Sequence, residues 1–173
     1  MIVRRPVFHF RPIGVDTFFY VEAQENGYDM KDIRSFSGRY KFLSNFYPCF
    51  VYYDGQRYSS VERAFQAAKV LDKNERKPFI LARSEAEAKY WGRKVNLRDD
   101  WESVKVGIMK DLVRQKFSKE PLRSKLLETG DCYIEEGNNH GDRFWGTVKG
   151  QGKNILGKIL MQVREDIRNE TND

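Results

Sequence analysis

Three residues within SSVERAFQAAK (residues 59–69) could do chemistry together: Glu62, Gln66 and Lys69, set among alanines, a valine and a phenylalanine. An α-helix advances about 100° per residue, so with Glu62 at zero Gln66 lies at about 40° and Lys69 at about −20°. Val61, Phe65 and Ala68 border this line on one side and Val70 on the other. A carboxyl in apolar surroundings keeps its proton to higher pH and can trade it near neutrality. A desolvated lysine is neutral often enough to attack a carbonyl or imine carbon. Together they suit cleavage of a bond at a sugar anomeric carbon. A plainer reading competes: Ser59 and Glu62 have capping-box spacing, in which the glutamate only closes the first turn, with Lys69 exposed at the helix end.

A second cluster is GDRFWGTVKGQGKNILG (residues 141–157), which carries Asp142, Phe144, Trp145, Gly146, Gly150, Gly152 and Gly157. It is not a phosphate loop of the Walker type. Thr147 stands where that loop requires its first glycine, and Asn154 replaces the serine or threonine. It is not a dinucleotide fingerprint either, because no clear strand precedes it. A glycine-rich turn entering a helix can cradle an anion on free N–H groups. It can equally be an ordinary loop with Asn154 as N-cap. Trp145 beside a carboxylate suits a base-stacking platform, or a core tryptophan next to a surface aspartate; Trp91 and Trp101 carry the same two readings.

These residues must be positioned by a chain of 173 residues, enough for one domain with a core. The net charge of +6 (31 Lys+Arg, 25 Asp+Glu) suits an anionic ligand, though charge speaks to solubility first. Two cysteines and two histidines make a disulfide framework, a His/Cys metal site or a histidine-based triad a poor fit. MIVRRPVFHF has no long apolar core of a secretory signal, and no run approaches the roughly 18 apolar residues of a membrane span. The expectation is a soluble, intracellular, cytoplasmic protein without cofactor.

Residues 1–34 read as an extension, with short strands at VFHF and FFYV and a polar turn at QENGYDMKD. Asp54-Gly55 predicts a hairpin between Phe50–Tyr53 and Gln56–Tyr58. Five helices are then predicted. The first is opened by Ser59, the second by Ser84 with Glu87, and the third by Asp99 with Glu102. The fourth has Pro121 in its first turn and ends at Gly130, and the fifth runs from Asn154 to Arg168. The fold class is mainly α: a compact single domain over 35–168 with a small antiparallel hairpin, and a frayed tail at 169–173.

Five blocks resemble the NADAR family, also called YbiA-like, in order and spacing: FLSNFYPCFVYYDGQRYSSVERAFQAAK, DDWESVKVGIMKDLVRQKF, LLETG, DRFWG and GQGKNILGKILMQVRE. The resemblance runs from about Phe36 to Ile167 and implies a helical N-glycoside hydrolase that cleaves a ribose C1–N bond. It implies two substrate classes: ADP-ribose on the exocyclic amine of guanine in nucleic acid, and phosphorylated ribosylamino-pyrimidine intermediates of riboflavin synthesis. By motif it assigns catalytic roles to Glu62, Lys69 and Asp142. Substrate contacts fall on Asn45, Gln66, Arg93, Trp101, Trp145, Gly146, Gly152, Lys153 and Asn154. Arg63 departs from a position that is often histidine, and 147–149 replaces a more glycine-rich stretch. Lys69 would form a Schiff base at C1 with Glu62 shuttling protons; the competing route is direct attack by water on an oxocarbenium-like state. A reader of ADP-ribose or single-stranded nucleic acid, without catalysis, is the alternative of another class.

Overall fold

The computed structural model describes residues 32–170, so the strands and turn read in the first 31 residues lie outside the described part. Ile33, almost wholly buried, pairs parallel with Ile134 through Ile33 N–H to Tyr133 O and Glu135 N–H to Ile33 O. A 3-10 turn at Gly38–Leu43 drops Phe42 and Leu43 into the core. The hairpin follows, with β1 at Val51–Tyr53 and β2 at Gln56–Tyr58, in antiparallel register Val51 to Tyr58. Asp54 and Gly55 both have positive φ (48° and 78°), the conformation that a two-residue type I′ turn demands and that Asp-Gly tolerates.

Six α-helices are present among the described residues: α1 Val61–Ala67, α2 Lys77–Leu81, α3 Glu85–Trp91, α4 Trp101–Phe117, α5 Leu122–Leu127 and α6 Ile155–Glu170. The longest, α4, packs against α1, α5, α6 and β1, burying Met109, Leu112, Val113 and Phe117. Phe117 meets Phe42 edge-on at 6.3 Å, tying the 3-10 turn to this central helix. α6 supplies Leu156, Ile159, Leu160, Val163 and Ile167 from one face, the spacing expected of an amphipathic helix against a core. The class is as expected: mainly helical with one two-stranded antiparallel sheet.

Three local expectations need correction. A 3-10 turn at Lys73–Arg76 and the short α2 were not predicted; Pro78 sits in the first turn of α2, where a missing N–H costs nothing. Their anchor is Arg76, which donates to Val70 O and Leu71 O and pairs with Asp54 at 2.7 Å. Secondly, α4 is preceded by Asp100, not Asp99, and the Asp100 side chain does not cap, because Arg98 holds both of its oxygens. Thirdly, Pro121 precedes α5 as its N-cap rather than lying within it, and α5 ends at Leu127, before Gly130.

Candidate functional site

The cap of α1 is Ser60, whose hydroxyl accepts from Arg63 N–H at 3.2 Å. Ser59 instead gives its carbonyl to Cys49 N–H, extending the hairpin, so the predicted Ser59–Glu62 capping box does not form. Glu62 is thereby released from the helix end. It is 6% exposed, and its carboxylate accepts from Gln66 Nε2 at 2.9 Å, one turn on. Burial pushes its carboxyl above the usual range; the Gln66 bond, Lys89 and Lys69 oppose this in part.

α1 ends at Ala67, so Lys69 lies on the turn beyond it rather than on the helix. Its ammonium nitrogen donates to Gly92 O at 2.8 Å and stands 6.0 Å from the Trp101 ring. Burial lowers the Lys69 pKa, Arg93 and Lys89 push the same way, and Glu62 opposes. Each of the two groups thus feels the other, and each is pushed by burial toward its neutral form.

The surrounding wall is aromatic. Phe65 of α1 lies between Trp101 at 5.0 Å and Trp145 at 5.2 Å, and Trp145 also meets Phe144 edge-on. Trp91 does not join them; it stays exposed beside Tyr90 on α3. Asn45 underlies α1: its carbonyl accepts Glu62 N–H, its Nδ2 faces Met109 Sδ at 3.4 Å, and its buried Oδ1 has no protein partner. Gln66 Oε1 packs on Gly92, where a Cβ would sit only 1.8 Å away. Arg63 is a clamp, donating to Ala82 O at 2.6 Å and pairing with Glu85 at 3.1 Å, which fixes α1 against α2 and α3. Arg93 is exposed just beyond Gly92.

The second cluster folds against this wall as a tight loop. Asp142 Oδ1 accepts from Phe144 N–H and Trp145 N–H, so one carboxylate oxygen shapes the turn that presents Trp145. Asn138 closes the loop by donating to Asp142 O and accepting from Asp142 N–H. A Cβ on Gly146 would meet Glu136 O at 2.1 Å, and one on Gly152 would meet Gly146 O at 2.3 Å, so both glycines let backbone pack on backbone. Of the two readings of this stretch, the anion cradle is not available at the start of α6. The amides of Lys153, Asn154, Ile155 and Leu156 donate to the carbonyls of Arg143, Gly146, Phe144 and Trp145. Asn154 is not a simple N-cap. Its φ is +49°, its Oδ1 accepts from Glu136 N–H, and its Nδ2 donates to Ile134 O and the Tyr133 hydroxyl. Lys153 lies outside the loop with its ammonium 5.3 Å from the Phe144 ring.

The structure therefore gathers Asn45, Glu62, Gln66, Lys69, Trp101 and Trp145 around α1, with Asp142 and Gly146 in the facing loop. Gly152 and Asn154 pack against that loop, and Arg93 and Lys153 are exposed. Three residues escaped the sequence reading: Gly92, Lys89, whose charge reaches both Glu62 and Lys69, and Glu136. A surface hollow of about 500 Å³ is lined by Arg34, Glu135, Asn138 and Lys149 and does not contain the Glu62–Lys69 pair. Among the described residues no group of three His, Cys, Asp or Glu side chains could hold a metal, and no helix is long and apolar enough to cross a membrane.

The NADAR domain model matches residues 31–168, nearly the whole described chain. The chain belongs to the NADAR family. A riboflavin biosynthesis protein of Vibrio vulnificus is 39% identical over 131 residues; the match covers 73% of this chain and 35% of that protein. The chain thus spans about a third of that relative's length. The N-glycosidase YbiA of Escherichia coli is 36% identical over 155 residues, covering 85% of this chain and 96% of YbiA. The solution structure of E. coli YbiA superposes with a TM-score of 0.71 at 34% identity, covering 82% of this chain and 88% of YbiA. This NADAR domain thus shares its fold with a relative of nearly its own size.

Proposed function

We propose that this protein is an N-glycoside hydrolase that breaks the bond between a ribose C1 and an exocyclic amine, with Lys69 as nucleophile and Glu62 as proton shuttle. The observation that carries this reading is the pairing of a buried carboxyl with a desolvated lysine across a tryptophan-lined wall. The name N-glycosidase borne by YbiA, a relative matched over almost its full length, supports the same reaction class. In this scheme the glycoside opens to an imine and Lys69 adds to C1. The amine leaves, and water releases the ribose from the enzyme imine. Asp142, with one oxygen committed to the loop, offers the other to ribose. Trp101 and Trp145 wall the base, and Arg93 and Lys153 supply positive charge for phosphate. Gly146, Gly152 and Asn154 hold the loop at the required distance.

The preferred substrate is ADP-ribose on guanine in nucleic acid. Supporting this is the rim of the site, where exposed Phe46, Tyr90 and Trp91 stand among cations: Lys89 lies 5.9 Å from the Phe46 ring and Lys94 5.6 Å from Tyr90. Aromatic faces interleaved with lysines suit a flexible strand with stacked bases and phosphates. A second reading, a phosphorylated ribosylamino-pyrimidine, is favoured by the name of the V. vulnificus relative. Side-by-side hydrolysis of the two substrates, with Glu62→Ala as control, tests both. Faster release of ADP-ribose from guanine DNA is expected. Turnover of the pyrimidine alone would reverse the preference, and binding without release of either would make the protein a reader.

A further inference from the structure

One buried carboxyl has no part in the scheme above. Glu136 Oε2 is shut off from solvent and has no protein hydrogen-bond partner. Its neighbour Glu135 is satisfied, by Arg34 at 3.1 Å and by the Thr147 hydroxyl. Successive residues of extended backbone face opposite ways, so Glu135 turns to the outer hollow and Glu136 to the other side. The backbone of Glu136 is held firmly: its N–H donates to Asn154 Oδ1 at 3.0 Å and its carbonyl accepts Thr147 N–H at 2.9 Å. The charges that face it are Asp142 of the loop, Lys89 of α3 and Glu62 of α1. Burial first, then Asp142 and Glu62, raise its carboxyl to about 7, with Lys89 opposing. A carboxyl left unpartnered in such a place costs stability, which a purely structural residue would not need to bear.

The geometry points to Glu136 as a second catalytic carboxyl, the general acid that protonates the departing nitrogen from the wall opposite Glu62. Carboxyls on two walls flanking a glycosidic bond divide acid and base work in this way. This role rests on the N-glycosidase reading. Lys69 adds its lone pair to C1 of the opened imine, and one of the two protons on the attacking lysine nitrogen passes through Glu62 to the substrate nitrogen. The C1–N bond then breaks with its electron pair to that nitrogen, which takes the Glu136 proton as its second and leaves as the amine, while the Lys69 lone pair closes on C1 as a protonated imine. Water adds to C1, giving one proton to Glu136 and restoring it. The remaining hydroxyl proton passes through Glu62 to the lysine nitrogen as the C1–lysine bond breaks, and the free ribose departs as its aldehyde.

The test is a series of N-ribosides whose departing amines range from basic to electron-poor, turned over by wild type and Glu136→Gln. A missing general acid lowers kcat by about 10²–10⁴-fold for the basic amine and much less for the electron-poor one, with KM little changed. Rates of the variant should therefore depend more steeply on the amine than those of wild type. An equal loss across the series, or none, would overturn the role. Wild type inert on every member would remove the N-glycosidase reading and this role with it, an outcome distinct from an active wild type with an unaffected variant. If Glu136→Gln does not fold, Glu136→Asp carries the same test, since a shortened acid should give a slope between the two.

Discussion

Gly92→Ala perturbs the site from a position that touches no substrate. Gly92 has ordinary helical dihedrals (φ −63°, ψ −10°), so its backbone accepts alanine. Helix propensity alone would favour alanine by about 0.5–1 kcal/mol. The new Cβ would stand 1.8 Å from Gln66 Oε1 and 2.7 Å from its Cδ. An ordinary contact needs about 3.5 Å, so the Gln66 amide must retreat by roughly 1.5 Å or more. That movement breaks its bond to Glu62, a charge-assisted hydrogen bond of about 1.5–3 kcal/mol. The bond favours the ionised carboxylate, so its loss raises the Glu62 pKa further. The limb of the pH–rate profile that reports Glu62 should move to higher pH. Overpacking costs about 1–3 kcal/mol, which exceeds the propensity gain and lowers Tm by several degrees, about 2–8 °C. Kinetics against pH and a thermal melt on the same variant check both parts. A variant that melts at or above wild type with an unmoved profile would refute the packing argument.

Two further outcomes follow from buried polar groups. Lys116 is 2% exposed with its ammonium on Ser44 O, and burial lowers it to about 7, with Cys49 opposing. Between about 7 and its ordinary value of about 10.5 the unfolded chain binds the extra proton, so stability rises with pH across that window. The cost is fully present below 7. Lys116→Met should therefore melt higher than wild type at pH 6, with the gap closing toward pH 10; a gap that is constant with pH would contradict this. Asn154→Ala loses three hydrogen bonds and puts at φ +49° an alanine, which tolerates that conformation less well than asparagine, for a loss of about 2–4 kcal/mol by chemical denaturation. Asn154→Gly removes the amide but keeps the backbone at ease and should recover about 1 kcal/mol of that; equal losses would show that strain plays no part.

Much of this arrangement was legible in the chain. The Asp-Gly turn, the helices at Ser84 and around Trp101, and the shared line of Glu62 and Gln66 all rest on local rules of spacing and capping. What escaped was set by contacts between distant segments. Ser59 and Ser60 are equally good caps by type, and only the hairpin bond from Cys49 to Ser59 decides that Ser60 serves. Asp99 reads as the cap of α4, yet Asp100 holds that place and its carboxylate is taken by Arg98. Gly92 matters because Gln66, 26 positions earlier, presses on it, and nothing in WGRK signals this. Glu136 looks like one of two adjacent surface acids. Only the folded chain, in which Asn154 and Thr147 fix its backbone, closes its Oε2 off from solvent. The glycine-rich stretch admits an anion cradle beside an ordinary loop only while its amides count as free, and the Arg143–Gly146 carbonyls accept those of residues 153–156.

The central claim is that Lys69 attacks C1. Borohydride added during turnover, followed by intact-mass measurement and peptide mapping, tests it directly. The account predicts a reduced ribosyl adduct on Lys69, absent in Lys69→Arg together with activity. Normal turnover with no adduct, or an adduct on a different lysine, would contradict it.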